Sequence, residues 1–313
     1  MSTAVHLSRM RTLKVSQENL HARIIELVRS GRASSRGVLA RELSVAPSTM
    51  GLYVDQLIAA GWLRESGLIR GKTGRPKMNL ELEKNGTGWF AGVEFTASRI
   101  QVIAVDFAGN RLSALTKAMP SPADAEAVIR QVQQAIQDMV GRMTEKLLGI
   151  GVGAPGLVNP DTGMAIYSMA FPDWADIPLQ ARLSQAFAAR CTIQNNLRVI
   201  ALAERWFGEG RDEDDFVVLG PRSGFAMSIV KGGELIRGAH LGAGEAGFWP
   251  LATADGEEAA HDLLSAPAVW RRLTGSTRET SLPTNLHDEL AKLACEQSPA
   301  WEEVTGLLPG SSG

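Results

Sequence analysis

The chain has 313 residues and a formal net charge of −2, and that charge is unevenly placed: residues 1–85 carry 14 Lys and Arg against 7 Asp and Glu, the rest 18 against 27. A basic front end on an acidic body points to a polyanion-binding module carried by a part that does not bind DNA. Two distant cysteines, Cys191 and Cys295, exclude a disulfide framework and any Cys-based metal spacing, which fits a reducing cytoplasm. The polar, basic N-terminus excludes a secretory signal, and no apolar run approaches the roughly 18–20 residues a membrane helix needs. The expectation is a soluble cytoplasmic protein long enough for two or three units with their own cores.

Residues 1–16 read as a flexible basic arm. From 17 to 85 the pattern is that of a winged helix-turn-helix. Leu20, Ile24, Leu27 and Val28 fall on one face of a helix over 17–29, stopped by Gly31. Ser34 or Ser35 caps a second helix carrying Val38, Leu39 and Leu43. After the turn Ser44-Val45-Ala46, Pro47 opens a third helix to Ala60, with Met50, Val54, Leu57 and Ile58 as its buried stripe. A third helix so placed enters a DNA major groove. Ser48 and Thr49 can bond base edges or phosphates, Leu52 can touch a thymine methyl, and Tyr53 reaches the DNA backbone or packs. Arg70, Lys72, Arg75 and Lys77, interleaved with Gly71 and Gly74, suit a basic wing or a minor-groove arm. Three-helix units also bind proteins; here helix spacing and basic arm coincide, so operator DNA is the expected partner.

The order APSTMGLYVDQLIAAGWL, then GRPK, then a β pattern resembles the repressors of the ROK family (repressors, open reading frames and sugar kinases). Leu52 departs from that resemblance, since such helices often carry a polar or basic residue there, and the operator sequence stays open.

From Trp89 the period changes. Residues 90–94, 99–106 and 111–117 read as strands, 123–146 as one long helix, and 147–153 as a buried strand before the rigid loop Ala154-Pro155-Gly156. Next come a helix over 178–189, a strand over 191–195 and a helix over 199–207. Strands follow at 216–220, 224–230 and 234–237, with a Gly232-Gly233 turn. Such alternation gives an α/β body with two lobes and a cleft. This body also resembles the ROK family, through GIGVGAPGLVNPDTG, FPDW, QNN…ALAERWFGEG and RGAHLGAGEAGFW. The resemblance implies an actin-like, ribonuclease-H-like two-lobed sugar-kinase fold over 86–313, its first lobe about 86–195 and its second about 196–313. Residues 257–273 and 286–295 read as helices. Family members usually continue with a further α/β segment, so the second lobe is expected to be incomplete. Trp270, Leu273 and Trp301 would then be available for homo-oligomer formation.

The resemblance also marks lost chemistry. Where the family's first phosphate loop has an acidic residue followed by two glycines, this chain has Glu94-Phe95-Thr96-Ala97-Ser98, whose bulk is expected to block backbone approach to a phosphate. The second loop, Ser223–Ser228, keeps one of three glycines. The family's catalytic aspartate falls on Asn196, whose amide cannot act as a general base. Its zinc-binding His falls on Phe248, residues 252–265 hold no cysteine, and a lone His261 makes no site. No catalytic residue, metal or cofactor is therefore expected. Glu245 and Asn195 match sugar-contacting residues and Asn196 keeps hydrogen-bonding capacity, whereas Ala170 replaces an asparagine. Either these groups hold a sugar or sugar-phosphate effector, or they hold the lobes together. The expected function is a DNA-binding repressor of carbohydrate-related genes with a non-catalytic body. The rivals are a sugar kinase with an accessory domain and a ligand-free scaffold.

Overall fold

In a computed structural model, the described residues are 17–69, 77–83, 88–119, 124–253, 256–277, 283 and 286–295. The chain opens with three helices, α1 (Gln17–Arg29), α2 (Arg36–Glu42) and α3 (Pro47–Ala59). An antiparallel pair follows, β1 (Leu63–Ile69) and β2 (Lys77–Leu82), with an irregularity between Glu65 and Leu68. Leu20, Ile24, Leu39, Met50, Val54, Leu57, Leu63 and Leu80 form one buried cluster, so the helical stripes and one face of the hairpin close on a shared core. Ser44, at φ 52, makes the tight turn between α2 and α3, a left-handed position that costs a non-glycine residue energy. Ser35 precedes α2 as expected, but its side chain makes no capping bond and is buried.

Two residues from farther along the chain pack against this core: Phe107 and Ala108. The Phe107 ring lies 5.3 Å from Trp62 and 6.1 Å from Phe90. Its turn is held by Asn110, which donates its backbone N–H and its side-chain amide to Asp106 at 2.8 Å each.

The body continues with β3 (Trp89–Phe95), β4 (Arg99–Val105), β5 (Arg111–Ala118), α4 (Ala125–Val140) and β6 (Leu147–Ala154). Then come β7 (Leu157–Asn159), β8 (Met164–Tyr167), β9 (Ala175–Ile177), α5 (Leu179–Phe187), β10 (Arg190–Asn195) and α6 (Asn196–Phe207). The last stretch has β11 (Phe216–Pro221), β12 (Phe225–Lys231), β13 (Glu234–Leu235), β14 (Pro250–Thr253), β15 (Gly256–Ala259), α7 (Ala260–Leu264), α8 (Ala266–Thr274) and α9 (Leu286–Cys295). One sheet has the order β10-β6-β3-β4-β5, and two three-stranded sheets have the orders β7-β8-β9 and β11-β12-β13. By packing, the chain divides into two units. The first is Met1–Ala91, Ile103–Ala114 and Met139–Gly149; the second is Gly92–Val102, Leu115–Asp138 and Ile150–Gly313.

Several expectations need correction. The helix expected over 123–146 stops at Val140, where Gly141 follows and the N–H groups of Arg142 and Met143 turn back onto Met139 and Val140. The single helix expected over 257–273 is instead β15, α7 and α8. Ser265 breaks it, its hydroxyl accepting from Ala268 N–H while Pro267 occupies the first turn of α8. The helix after β10 begins three residues early, because Asn195 caps it.

Candidate functional sites

On α3, Ser48, Thr49 and Leu52 are exposed together near the N-terminal end, Leu52 to 58%. Pro47 stands at the first turn and Ala46 gives no side-chain cap, so the first-turn N–H groups meet no side chain of their own helix start. Tyr53 belongs elsewhere: it is half-buried against the core and meets His21 edge-to-face at 5.1 Å and 72°. Arg70, Lys72 and Arg75 lie outside the described residues, and of Lys77 only the backbone, which begins β2, is described.

A group that the sequence reading missed positions this helix. Arg36, on α2, pairs with Asp55 of α3 at 2.7 Å and with Glu65 of β1 at 2.9 Å, and donates to the Gly51 carbonyl at 3.2 Å. Burial alone would lower its pKa, but the bonds to Asp55 and Glu65 outweigh that and raise it. One planar guanidinium thus ties three elements, a task suited to its fork of donors. The acidic partners at 55 and 65 were the available signal.

In the second unit, the loop after β3 closes on itself. The Thr96 hydroxyl accepts from the N–H groups of Ser98 and Arg99 at 3.3 Å, and Thr96 N–H bonds the Arg99 carbonyl at 2.9 Å. Phe95 does not add bulk to the loop surface as expected: it is fully buried, 5.9 Å from the Phe171 ring and 5.7 Å from Trp174. Glu94 forms an ion pair with Arg222, so an acidic group of the first expected phosphate loop and a basic group next to the second, Ser223–Ser228, neutralise each other. Gly224 packs against the His261 imidazole, leaving 3.1 Å for any added Cβ. Beside this loop is a cavity of about 770 Å³ whose lining includes Ser223, His261, Asp262, Ser265, Arg271 and Arg272.

Asn195, Asn196 and Glu245 have distinct environments. Asn195 Oδ1 accepts from Leu197 and Arg198 N–H at 2.9 and 3.2 Å, and its amide donates to the Gly156 carbonyl at 2.8 Å. Gly156 itself requires a positive φ of 80 and would place a Cβ 2.1 Å from the Tyr167 carbonyl. Asn196 is half-buried at the start of α6, over Gly153. Burial pushes the Glu245 carboxyl above the usual carboxylate range, with the charge of Arg198 opposing. Arg198 is only 4% exposed and donates through Nη2 to the carbonyls of Leu241 and Ala243 at 2.6 and 3.2 Å. Sequence reasoning missed it because the helix was started at Val199; begun at Asn196, it puts Arg198 on the buried stripe with Leu197 and Ala201. Phe248 is 66% exposed, and among the described residues no group of three or more His, Cys, Asp or Glu is placed to hold a metal. No helix among them is long and apolar enough to cross a membrane. Burial pushes the Cys191 thiol up to about 12, which keeps it unreactive near neutrality.

Comparisons with known proteins place this arrangement. Residues 90–261, more than half of the chain, match the model described as the ROK family. A xylose repressor of Caldicellulosiruptor bescii is 26% identical over 227 residues, covering 72% of this chain and 56% of that protein. A beta-glucoside kinase of Listeria monocytogenes is 38% identical over 158 residues, 50% of this chain and 48% of the kinase. The chain thus spans about half the length of these curated relatives. In fold it is similar to a solved ROK family transcriptional regulator described as a homologue of the Escherichia coli Mlc protein. That likeness has a TM-score of 0.72 at 20% identity, over 92% of this chain and 76% of the other.

Proposed function

The chain belongs to the ROK family, and from that premise we propose that it is a DNA-binding transcriptional regulator, a repressor of carbohydrate-related genes with a non-catalytic body. Its first three helices and the β1–β2 hairpin act as a winged helix-turn-helix, binding operator DNA as a cytoplasmic homo-oligomer. The observation that carries the reading is the exposed row Ser48, Thr49 and Leu52 on α3, in a region where 14 Lys and Arg face 7 Asp and Glu. Hydroxyls and an apolar tip at the front of such a helix suit base edges, and Arg70, Lys72, Arg75 and Lys77 supply the salt-dependent hold on phosphates. Similarity to the xylose repressor supports the regulatory side.

The kinase relatives raise the question of catalysis, and two features argue against it here. Asn196 stands where the base would be, and the Glu94–Arg222 pair neutralises groups beside both expected phosphate loops. Phosphoryl transfer depends on free, positioned charge. A sugar or sugar phosphate near Asn196 and Glu245 is the effector of this proposal. The rival reading, a body without an effector, has its own support: Arg198 is bonded to Leu241 and Ala243 where a ligand would compete, and Asn195 is spent as a helix cap.

The test is selection of genomic fragments by the purified chain at near-physiological salt, repeated with a panel of sugars and sugar phosphates. Enrichment of a two-fold-symmetric site is expected, with release by one sugar. Binding without sequence preference would sink the regulator reading, and release by none would favour the effector-free body. Replacing Arg70 and Arg75 together should reduce the slope of log affinity against log salt by about 0.9 for each phosphate no longer neutralised.

A further inference from the structure

We infer that α3 reads the C5-methyl groups of pyrimidines, and that Gly51 is bare so that the duplex can come up against the helix backbone. This rests on the DNA reading proposed above and names the base chemistry it selects. Residues 48, 51, 52 and 55 share a face of a helix. On that face and its flank the carboxylate and the amide suited to base readout are already engaged. The Asp55 carboxylate, which could accept from cytosine, is paired with Arg36. The Gln56 amide oxygen, needed for a bidentate bond to adenine, lies 3.1 Å from His21 Nε2. Two hydroxyls and the 58% exposed isobutyl group of Leu52 remain.

Gly51 is a separate observation. Glycine inside a helix is less favourable than alanine. A Cβ built at Gly51 would meet only Arg36 Nη1, at an ordinary 3.9 Å. Packing within the protein therefore does not demand glycine there, and its φ is not in the left-handed region. What remains is a partner that needs the space. Beside Leu52, with the Arg36 guanidinium at Gly51 already paired with Asp55 and Glu65, that partner is an apolar group projecting from the groove floor. In the major groove that group is the C5-methyl, offered identically by thymine and by 5-methylcytosine.

The experiment uses the full chain and a duplex selected from a random-sequence pool at near-physiological salt. The duplex is remade with deoxyuridine for each thymidine in turn, and separately with 5-methylcytosine for each cytosine. Burying one methyl group corresponds to about fourfold in affinity. A loss of that size is expected at one or two thymines of each half-site if thymine is the source, or a gain on methylation if 5-methylcytosine is. Leu52→Ala, at an exposed position that leaves the core alone, should make the methylated and unmethylated duplexes bind equally. Gly51→Ala should raise the unfolding midpoint while weakening the selected duplex, a pair of opposite signs that a structural glycine would not give. The inference falls if no position responds to either replacement, if Leu52→Ala keeps the discrimination, or if Gly51→Ala binds as tightly as the parent. A pool that yields no preferred duplex overturns the DNA reading itself, and this inference with it.

Discussion

The front of α3 and the residues around Asn195 treat their polar groups in opposite ways. On α3, Ser48 and Thr49 stand exposed beside an exposed Leu52, with no side-chain cap at the helix start. In the body several polar groups are committed to one another. Asn195 caps α6 and holds Gly156, Arg198 holds Leu241 and Ala243, Thr96 closes its own loop, and Glu94 faces Arg222. If the α3 surface binds DNA as proposed, its exposed hydroxyls are left for that partner. Polar groups bonded to one another lower the penalty of their burial, although Arg198 Nη1 stays buried without a hydrogen-bond partner. The two regions therefore predict different responses to substitution: in the body stability changes, on α3 binding does.

The largest effect should come from Arg198→Ala, which strips a buried guanidinium from two carbonyls and from the neighbourhood of Glu245. A loss of about 3 kcal/mol is expected by chemical denaturation. A loss too small to resolve would break the comparison, because Arg198 would then be idle and free for a ligand. Asn195→Ala should cost about 1–2 kcal/mol through the lost cap. Asn195→Asp keeps the accepting oxygen but not the donor to Gly156, so it should recover only part of that loss.

On the α3 side the expected stability effects are smaller and of opposite sign. Ser44→Gly relieves a φ of 52 and should stabilise by about 1 kcal/mol without weakening DNA binding. Weaker binding would show that the Ser44 hydroxyl contacts DNA and would enlarge the interface.

Glu245 gives the finest test. Burial raises its folded pKa above the unfolded value, so the ionised form is disfavoured by folding. The resulting destabilisation is full above the folded pKa and vanishes below the ordinary carboxylate range. Glu245→Gln should therefore raise the denaturation midpoint near pH 7, with the gain fading towards about pH 4. A gain independent of pH would mean that the carboxyl is not perturbed by burial.

The core stripes of α1, α2 and α3 were legible because helical spacing places Leu20, Ile24, Leu39, Met50 and Val54 on facing surfaces, and burial agrees. The strands β3, β4 and β5 were legible from their alternation. The sheet β7-β8-β9 was not, since strands of three or four residues are too short to show a period. Asn195 carried a readable signal of another kind, an asparagine directly before an apolar helical stripe. Arg198 and the Glu94–Arg222 pair were illegible for a simpler reason: charged residues are expected outside, and nothing local marks the ones that folding encloses or pairs across the chain.

The packing of Phe107 and Ala108 on the N-terminal helical core bears on any attempt at grafting. A cut in the segment between Leu82 and Trp89 would look natural by sequence, yet it would leave Trp62 without its ring contact to Phe107 and the helical cluster without two of its packing partners. A chimera built at that cut should be aggregation-prone and should misreport the DNA affinity of its donor. One that also carries residues 103–114, with the β4–β5 turn, would keep the helical cluster together with Phe107 and Ala108.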